Sequence, residues 1–120
     1  MPHLTLEYTD NLTGFQPGPA LVAINEAAFA TGLFGESDIK TRAVKLDAYR
    51  TGIHVGPRGF VHLRIALLAG RTDAERKGLA EAVLAVLKRN LGEPAGMEVQ
   101  LSVETVELHR ESYAKAVLHG

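Results

Sequence analysis

The chain has 120 residues, of which 46% are hydrophobic and 22% charged, and its formal net charge is -1. Its size and composition are typical of one folded domain with a single core. The near-neutral charge argues against a surface that binds nucleic acid or a membrane, and the absence of cysteine excludes disulfides and thiolate metal sites. No signal-peptide pattern and no run of apolar residues long enough to cross a bilayer is present, so we expect a cytoplasmic protein.

Two elements are predicted in the first third of the chain. Alternating apolar and polar residues predict a strand over residues 3–8. A segment rich in turn-forming residues follows, and Pro19 then suits the first position of a helix that Gly32 ends. The side chains expected on the buried faces of these elements are Leu4, Leu6, Tyr8, Leu21, Ile24 and Ala28.

A second strand is predicted within residues 39–52, where the alternation returns. We expect Val44 and Leu46 to face the core on this strand and Lys45 to face away from it. The segment Gly56–Gly59, which contains two glycines and a proline, then separates the two halves of the chain.

The second half repeats this plan. Alternation predicts a third strand at residues 60–70 and a fourth at 97–108. Between them, Thr72 and Glu75 have the spacing of a capping box, in which each side chain binds the other residue's backbone N–H at the start of a helix. The side chains expected in the core from this half are Val61, Leu63, Ile65, Leu67, Leu79, Val83, Val86, Leu87, Leu91, Val99, Leu101 and Val103.

The order β-α-β followed by β-α-β indicates an internal duplication of roughly 55 residues. We expect a single domain over residues 1–120, with pseudo-repeats at 1–55 and 59–110 and a tail at 110–120. Right-handed crossovers favour parallel pairing within each repeat. Four strands with both helices on one face then form a two-layer α/β sandwich.

The opposite face of the predicted sheet is polar and carries both signs of charge. Solvent would suit this face, and so would a subunit interface with ion pairs between chains. The pattern leaves both open. The residues expected on the face are His3, Thr5, Glu7, Lys45, Asp47, His62, Arg64, Gln100 and Glu104.

Pro2 is a candidate for chemistry, because removal of Met1 would leave a secondary amine on the rigid start of the first strand. Methionine is normally removed before a small second residue such as proline. Burial and nearby arginines would lower the pKa of this amine from about 7.7–8.0, and a base near neutrality suits proton abstraction beside a carbonyl. The alternative is a proline that only stiffens the start of a strand.

Three cationic residues lie near predicted strand ends. Arg71 precedes the second helix, whose N-terminus attracts anions, and a guanidinium binds a carboxylate through two hydrogen bonds. Lys40 and Arg42 share one side of the second strand. The three form a candidate site for a di- or tricarboxylate, with ordinary surface positions as the alternative.

Other kinds of site have little support in the sequence. The five histidines are scattered without metal-ligand spacing, so no metal is expected. No nucleophile elbow with a catalytic serine and no phosphate-binding loop is present. A sheet that binds RNA would need exposed aromatic residues, and the third strand offers only Phe60.

Four segments carry a resemblance that runs in register over essentially the whole chain. They are MPHLTLEYTDN, ATGLFGESDIKTRAVKLDAY, GFVHLRIALLAGRTDAERKGLAEAVLAVL and VQLSVETVELHRESYAKA. Together they resemble the 5-carboxymethyl-2-hydroxymuconate delta-isomerases of the tautomerase superfamily. The stretch LRIALLAGRTDAER is also similar to the opening of the short 4-oxalocrotonate tautomerases, which agrees with an internal duplication.

This resemblance implies a duplicated β-α-β fold, a homotrimer and a reaction without a cofactor. The implied reaction is a 1,3-proton shift that converts a dienol acid to its conjugated ketone in homoprotocatechuate (4-hydroxyphenylacetate) breakdown. Pro2 is the implied general base and acid, and Arg42 and Arg71 are implied to hold substrate carboxylates. Lys40 stands where a relative has arginine. Lysine keeps the positive charge but cannot bind a carboxylate through two parallel hydrogen bonds.

Two alternatives stay open. One is a keto–enol tautomerase that acts on another carboxylic acid. The other is a catalytically silent trimeric binding protein that retains Met1. Whether Met1 is removed decides between a catalytic protein and a catalytically silent one. While Met1 is attached, the Pro2 nitrogen is a tertiary amide and has no basic lone pair.

Overall fold

The computed structural model describes all residues from 1 to 120. It contains four strands, two α-helices and two single-turn 3₁₀ helices. The strands and α-helices are β1 (His3–Thr9), α1 (Pro17–Ala30), β2 (Lys40–Leu46), β3 (Arg58–Leu68), α2 (Asp73–Leu91) and β4 (Glu98–Leu108). The 3₁₀ turns are Glu36–Asp38, before β2, and Arg110–Ser112, after β4. The order β-α-β therefore occurs twice along the chain.

The strands form one mixed sheet in the order β2-β1-β3-β4. β1 pairs in parallel with β2, and β3 pairs in parallel with β4, as expected for two β-α-β units. The two units meet through β1 and β3, which pair antiparallel with His3 opposite Ala66. The start of β1 is therefore flanked by the start of β2 on one side and by the end of β3 on the other.

Both helices pack on one face of the sheet, which confirms the predicted two-layer sandwich. Ile24 and Ala28 of α1 and Leu79 and Val83 of α2 are buried in one apolar cluster with the inner faces of the central strands. The strand residues of that cluster are Leu4, Leu6, Tyr8, Val61, Leu63, Ile65 and Leu67. Neither helix combines the length and the apolar character that crossing a bilayer requires.

The helix boundaries follow from local chemistry. The predicted capping box is present: Thr72 Oγ1 accepts the Glu75 N–H at 3.1 Å, and Glu75 Oε1 accepts the Thr72 N–H at 2.9 Å. Helix α1 begins at Pro17 rather than at Pro19. Both prolines fit, because N–H groups in the first turn have no partner within the helix. The helix ends before Gly32, whose φ of 77° favours glycine.

The predicted orientation of β2 is wrong. Val44 is in register with Glu7, so it lies on the open face of the sheet, away from the helices, with 42% of its surface exposed. Leu46 lies two residues further on, on the same side. Lys45, which was expected on the open face, is in register with the buried Tyr8 on the helix side.

Small residues of β2 lie beneath α1 and explain this orientation. Ala43 packs against the core cluster, and the Thr41 hydroxyl donates to Asn25 Oδ1 of α1 at 2.8 Å. A larger residue on this side of β2 would have to fit between the edge of the sheet and the helix. Alternation shows that a strand has two faces, and packing against the neighbouring helix decides which of them is inward.

The open face carries the mixed charges that the sequence predicts for it. His62 of β3 has Nδ1 2.7 Å from Ser102 Oγ of β4, and its Nε2 is bonded to the Glu104 carboxylate. The β1 residues expected there, His3, Thr5 and Glu7, are each partly exposed. No helix covers this face.

The tail after β4 crosses the end of the sheet. Arg110 Nη2 donates to the Ala69 carbonyl oxygen at 2.6 Å, just beyond β3. The Tyr113 N–H donates to the Arg110 carbonyl oxygen at 3.3 Å, which closes the 3₁₀ turn. These bonds carry the chain from the end of β4 across β3 and bring Tyr113 to the start of β1.

Candidate active site

The sheet topology gathers the predicted site residues at one end. Pro2 immediately precedes β1, Lys40 opens β2, and Arg71 follows the end of β3. Because β1 and β2 run in parallel and β3 runs in the opposite direction, these three positions meet at one end of the sheet. Arg42 lies two residues into β2, on the same side as Lys40.

Pro2 is fully buried at this end of the sheet. Its carbonyl oxygen accepts the Lys40 backbone N–H at 3.2 Å, which fixes Pro2 against β2. The amino group of Met1 lies partly inside the same region. Burial lowers the pKa of that amine from 8.0, the nearby carboxylate of Asp38 opposes the shift, and the charges of Lys40 and Lys115 add to it. The start of β1 thus disfavours a protonated amine.

Asp38 is a carboxylate that sequence analysis did not select. Its Oδ1 lies 3.7 Å from the Met1 nitrogen and 2.9 Å from Lys115 Nζ. The hydrogen bond from Lys115 and the charge of the amino terminus lower the pKa of Asp38 from 3.8. Lys40 Nζ donates to the Asp38 carbonyl oxygen at 2.6 Å. The negative charge of Asp38 therefore partly balances the positive charges of Lys40, Lys115 and the Met1 amine.

His3 links Arg42 to the tail. Arg42 Nη2 lies 3.1 Å from His3 Nδ1, and the Tyr113 hydroxyl oxygen lies 3.1 Å from His3 Nε2. The same hydroxyl donates to the Met1 sulfur at 2.9 Å. Burial lowers the pKa of His3 from 6.5, and the charges of Arg42 and Lys40 lower it further. The imidazole is therefore held in its neutral form near pH 7.

Arg71 is directed toward the loop that follows α1. Its guanidinium donates to the Leu33 carbonyl oxygen at 2.9 Å and to the Leu68 carbonyl oxygen at 3.5 Å, and it lies 5.0 Å from the centre of the Phe34 ring. Each of these two bonds uses one N–H, and a guanidinium has five. Arg71 is thus anchored by backbone oxygens and retains donors for an anion.

The structure brings Pro2, Lys40 and Arg42 together on adjacent strands and places Arg71 at the same end of the sheet, turned toward the α1 loop. Sequence analysis missed Asp38, Tyr113 and Lys115. Asp38 lies in a short turn, and the other two lie in a tail without periodicity, so no local pattern marked them. No three histidine, aspartate or glutamate side chains are grouped as metal ligands.

A second concave region lies at the opposite end of the sheet. It is lined by the loop between β2 and β3, including Arg50 and His54, and by Arg58 at the start of β3. Arg50 and Arg58 both donate to carbonyl oxygens of that loop. None of the predicted site residues lines this region, and the two arginines are committed to holding the loop.

A family model described as 5-carboxymethyl-2-hydroxymuconate isomerase matches residues 2–120. The chain belongs to this family. The 5-carboxymethyl-2-hydroxymuconate Delta-isomerase of Escherichia coli is 30% identical to this isomerase over 113 residues, which are 91% of this chain and 88% of the relative. The resemblance found in the sequence is therefore confirmed, and the protein is an enzyme of the isomerase class.

Solved structures agree with this assignment. The crystal structure of a 5-carboxymethyl-2-hydroxymuconate isomerase from Deinococcus radiodurans R1 has a TM-score of 0.89 at 35% identity and covers 96% of this isomerase and 88% of that chain. A structure described as a fused 4-OT wild type symmetric trimer has a TM-score of 0.62 at 15% identity, with 88% of this chain and 85% of that chain covered. The second match shows the fold alone.

Proposed function

We propose that this isomerase moves a proton by a 1,3-shift within 5-carboxymethyl-2-hydroxymuconate, with the amine of Pro2 as general base and acid. The observation that carries the proposal is the burial of Pro2 at the start of a central strand, beside two cationic side chains of β2. The names of the relatives supply the substrate. The reaction belongs to 4-hydroxyphenylacetate breakdown.

Removal of Met1 creates the base. The new amine lies one residue further along the strand than the Met1 amine, at a residue that is fully buried. Burial lowers the pKa of the Met1 amine, and we expect the same surroundings to lower that of the Pro2 amine. The ring fixes φ, and the strand therefore aims the nitrogen lone pair.

The cationic residues bind the substrate and stabilise the charge that forms during the reaction. Arg42 and Arg71 hold carboxylates through guanidinium N–H groups, and Lys40 supplies a third positive charge beside Pro2. Taking a proton from the neutral dienol or ketone form leaves a delocalised dienolate. Fixed positive charges stabilise this anion more than they stabilise the starting acid.

The proton balance is closed within the site. The neutral Pro2 amine accepts one proton from the substrate and becomes an ammonium, while the electron pair of the broken bond spreads over the dienolate. From the unconjugated ketone, the ammonium returns the proton two carbons along from the carbon that lost it. From the dienol, it delivers the hydroxyl proton to the far end of the diene, and either route leaves the ketone conjugated. No electrons are exchanged with a cofactor, and the enzyme ends in its starting state.

A homotrimer is part of the proposal. The open face of the sheet carries ion-paired and apolar side chains without a covering layer, and both edge strands, β2 and β4, have a side without a partner strand. The fused 4-OT structure with the same fold is described as a symmetric trimer. Three open faces that meet around an axis would cover these surfaces.

The experiment follows isomerisation of 5-carboxymethyl-2-hydroxymuconate by absorbance, using chains whose mass shows that they begin at residue 2. We expect turnover by the wild type and a lower rate for Pro2→Ala, because the alanine chain keeps an amine at residue 2 but loses the ring that aims its lone pair. Pro19→Ala, which changes an exposed proline of α1, serves as the matched control and keeps the wild-type rate. Equal rates for Pro2→Ala and the wild type would contradict a role for the proline ring in aiming the base.

The same assay with a phenylpyruvate-like keto acid tests the substrate. Faster ketonisation of that compound than of the hydroxymuconate would favour the keto–enol tautomerase alternative. An inactive protein that retains Met1 in its native source would favour the silent binding protein.

A further inference from the structure

We propose that the Tyr113 hydroxyl donates a hydrogen bond to a substrate oxygen in the processed enzyme, and that His3 and Arg42 set the direction of that hydroxyl. The inference rests on the proposed function and adds a residue of the tail to the reacting site. It starts from three polar groups that are hydrogen-bonded one to the next in space: the Arg42 guanidinium, the His3 imidazole and the Tyr113 hydroxyl.

The first step is the tautomer of His3. A guanidinium carries only N–H donors, so the contact of Arg42 Nη2 with His3 Nδ1 at 3.1 Å requires a lone pair on Nδ1. A neutral imidazole then carries its proton on Nε2. Burial and the neighbouring cations lower the pKa of His3, which agrees with this neutral form.

The second step is the direction of the tyrosine proton. His3 Nε2–H donates to the Tyr113 hydroxyl oxygen at 3.1 Å, so this oxygen acts as the acceptor in that bond. The hydroxyl proton must then point elsewhere, and it points to the Met1 sulfur at 2.9 Å. Tyr113 is therefore a donor directed at the space that the Met1 side chain fills.

The third step is the removal of Met1. Processing takes away the sulfur that accepts from Tyr113 and exposes the Pro2 amine in the same event. The hydroxyl is half-buried and is held in place from the side of β1 by His3. An acceptor that enters beside Pro2, such as the enolate oxygen of a dienolate, meets a neutral donor already oriented toward it.

The chemistry favours a transition-state role over simple binding. A preorganised donor gains most where negative charge develops, which is at the substrate oxygen as the proton leaves. Arg42 and Lys40 carry full charges that attract the carboxylates already present in the ground state. Tyr113 is neutral, so its bond strengthens mainly as the dienolate forms.

The test is Tyr113→Phe, which keeps the ring against His3 and removes the hydroxyl. We expect kcat to fall by about 100-fold with little change in KM, as for loss of one oxyanion donor. Tyr49→Phe is the matched control, because Tyr49 donates to Asp10 at the opposite end of the sheet. Wild-type kcat in a Tyr113→Phe chain, in an assay where the wild type is active, would overturn the inference and leave the proposed function intact.

Two further measurements separate positioning from stability. Thermal unfolding of Tyr113→Phe should match the wild type, and His3→Gln, whose amide can still donate to the hydroxyl, should retain more activity than His3→Ala. Nitrogen chemical shifts of His3 in the processed chain should show the proton on Nε2. A proton on Nδ1 would overturn the inference whether or not the chain turns over the hydroxymuconate.

Discussion

Two opposite charges act on the amine at the start of β1. In the chain that carries Met1, burial lowers the pKa of the Met1 amine most, Asp38 raises it and Lys40 lowers it, and we expect the Pro2 amine of the processed chain to feel the same neighbours. A base works in its deprotonated form, so kcat/KM should rise with pH through the amine's pKa and level off above it. We expect that pKa to lie below the roughly 7.7–8.0 of an ordinary α-amine.

The two neighbours should move this inflection in opposite directions. Lys40→Gln removes a positive charge, which raises the amine's pKa and moves the rise in kcat/KM to higher pH. Asp38→Asn removes a negative charge, which lowers the pKa and moves the rise to lower pH. The pH profiles of the three chains check this, and shifts in the same direction would contradict the assignment of the titrating group.

Arg71 should act mainly on substrate binding. Arg71→Ala removes a charged hydrogen-bond donor to a carboxylate, which costs about 1.5–3 kcal/mol, and KM rises accordingly. Arg89→Ala changes an exposed arginine of α2 and is the control with an unchanged KM. Because Arg71 also anchors backbone oxygens, unfolding curves must accompany the kinetics. An unchanged KM would make Arg71 a structural residue alone.

The residues of the candidate site differ in how far sequence could predict them. Pro2, Lys40, Arg42 and Arg71 stand at predicted strand ends, and the resemblance marked them. Tyr113 contacts Met1 across 112 positions of sequence through a tail without periodicity. Such a contact depends on where the end of β4 lies relative to β1, which only the assembled sheet determines.

At the scale of elements, the junction between β1 and β3 is tightly packed at Gly59. A Cβ at Gly59 would lie 2.7 Å from Thr9 Oγ1 and 3.0 Å from Asn11 Oδ1, whereas a Cβ at Gly78 in α2 meets nothing within 4 Å. Thr9 is fully buried, and its hydroxyl accepts the Phe60 N–H at 3.2 Å. The start of β3 therefore has no room for a side chain at Gly59.

Gly59→Ala and Gly78→Ala should have opposite effects on stability. The first crowds a buried hydrogen-bonded hydroxyl and should lower the free energy of unfolding by about 1–3 kcal/mol. The second replaces a helical glycine and should raise it by roughly 0.5–1 kcal/mol. Denaturant unfolding of both chains checks this, and a neutral Gly59→Ala would show that the junction relaxes.

The elements themselves were largely predictable. The capping box at Thr72 and the alternation in β1 and β3 are local signals, and each is present where it was expected. The orientation of β2 could not be predicted in the same way, because alternation places apolar residues in the core and Val44 lies on the open face. The β-α-β order of both halves agrees with a duplication, which we propose as the origin of the fold.

At the scale of the whole molecule, the open face of the sheet, which carries Val44, is the surface that the proposed homotrimer would bury. Val44 lies on a sheet face that no helix covers, and a second copy of the chain that packed there would bury it. The His62–Glu104 pair lies on the same face, with 30% and 46% of the two side chains exposed. Both observations favour burial of the open face in the proposed homotrimer.

Sedimentation should give the mass of three 12.9 kDa chains. Val44→Asp places a carboxylate on the open face and should shift the protein toward monomer. Val22→Asp changes a valine of α1 that is 60% exposed on the helix side and should leave the trimer intact. A wild-type chain that sediments as a stable monomer would contradict the proposed assembly.

The central claim is that the free amine of Pro2 does the chemistry. The most direct measurement compares the isomerisation rates of two preparations of the wild-type chain, one beginning at Pro2 and one retaining Met1 after aminopeptidase inhibition, each identified by intact mass. An amide nitrogen has no basic lone pair, so we predict that the chain with Met1 is at least about 100-fold slower. Equal rates for the two chains would contradict the account.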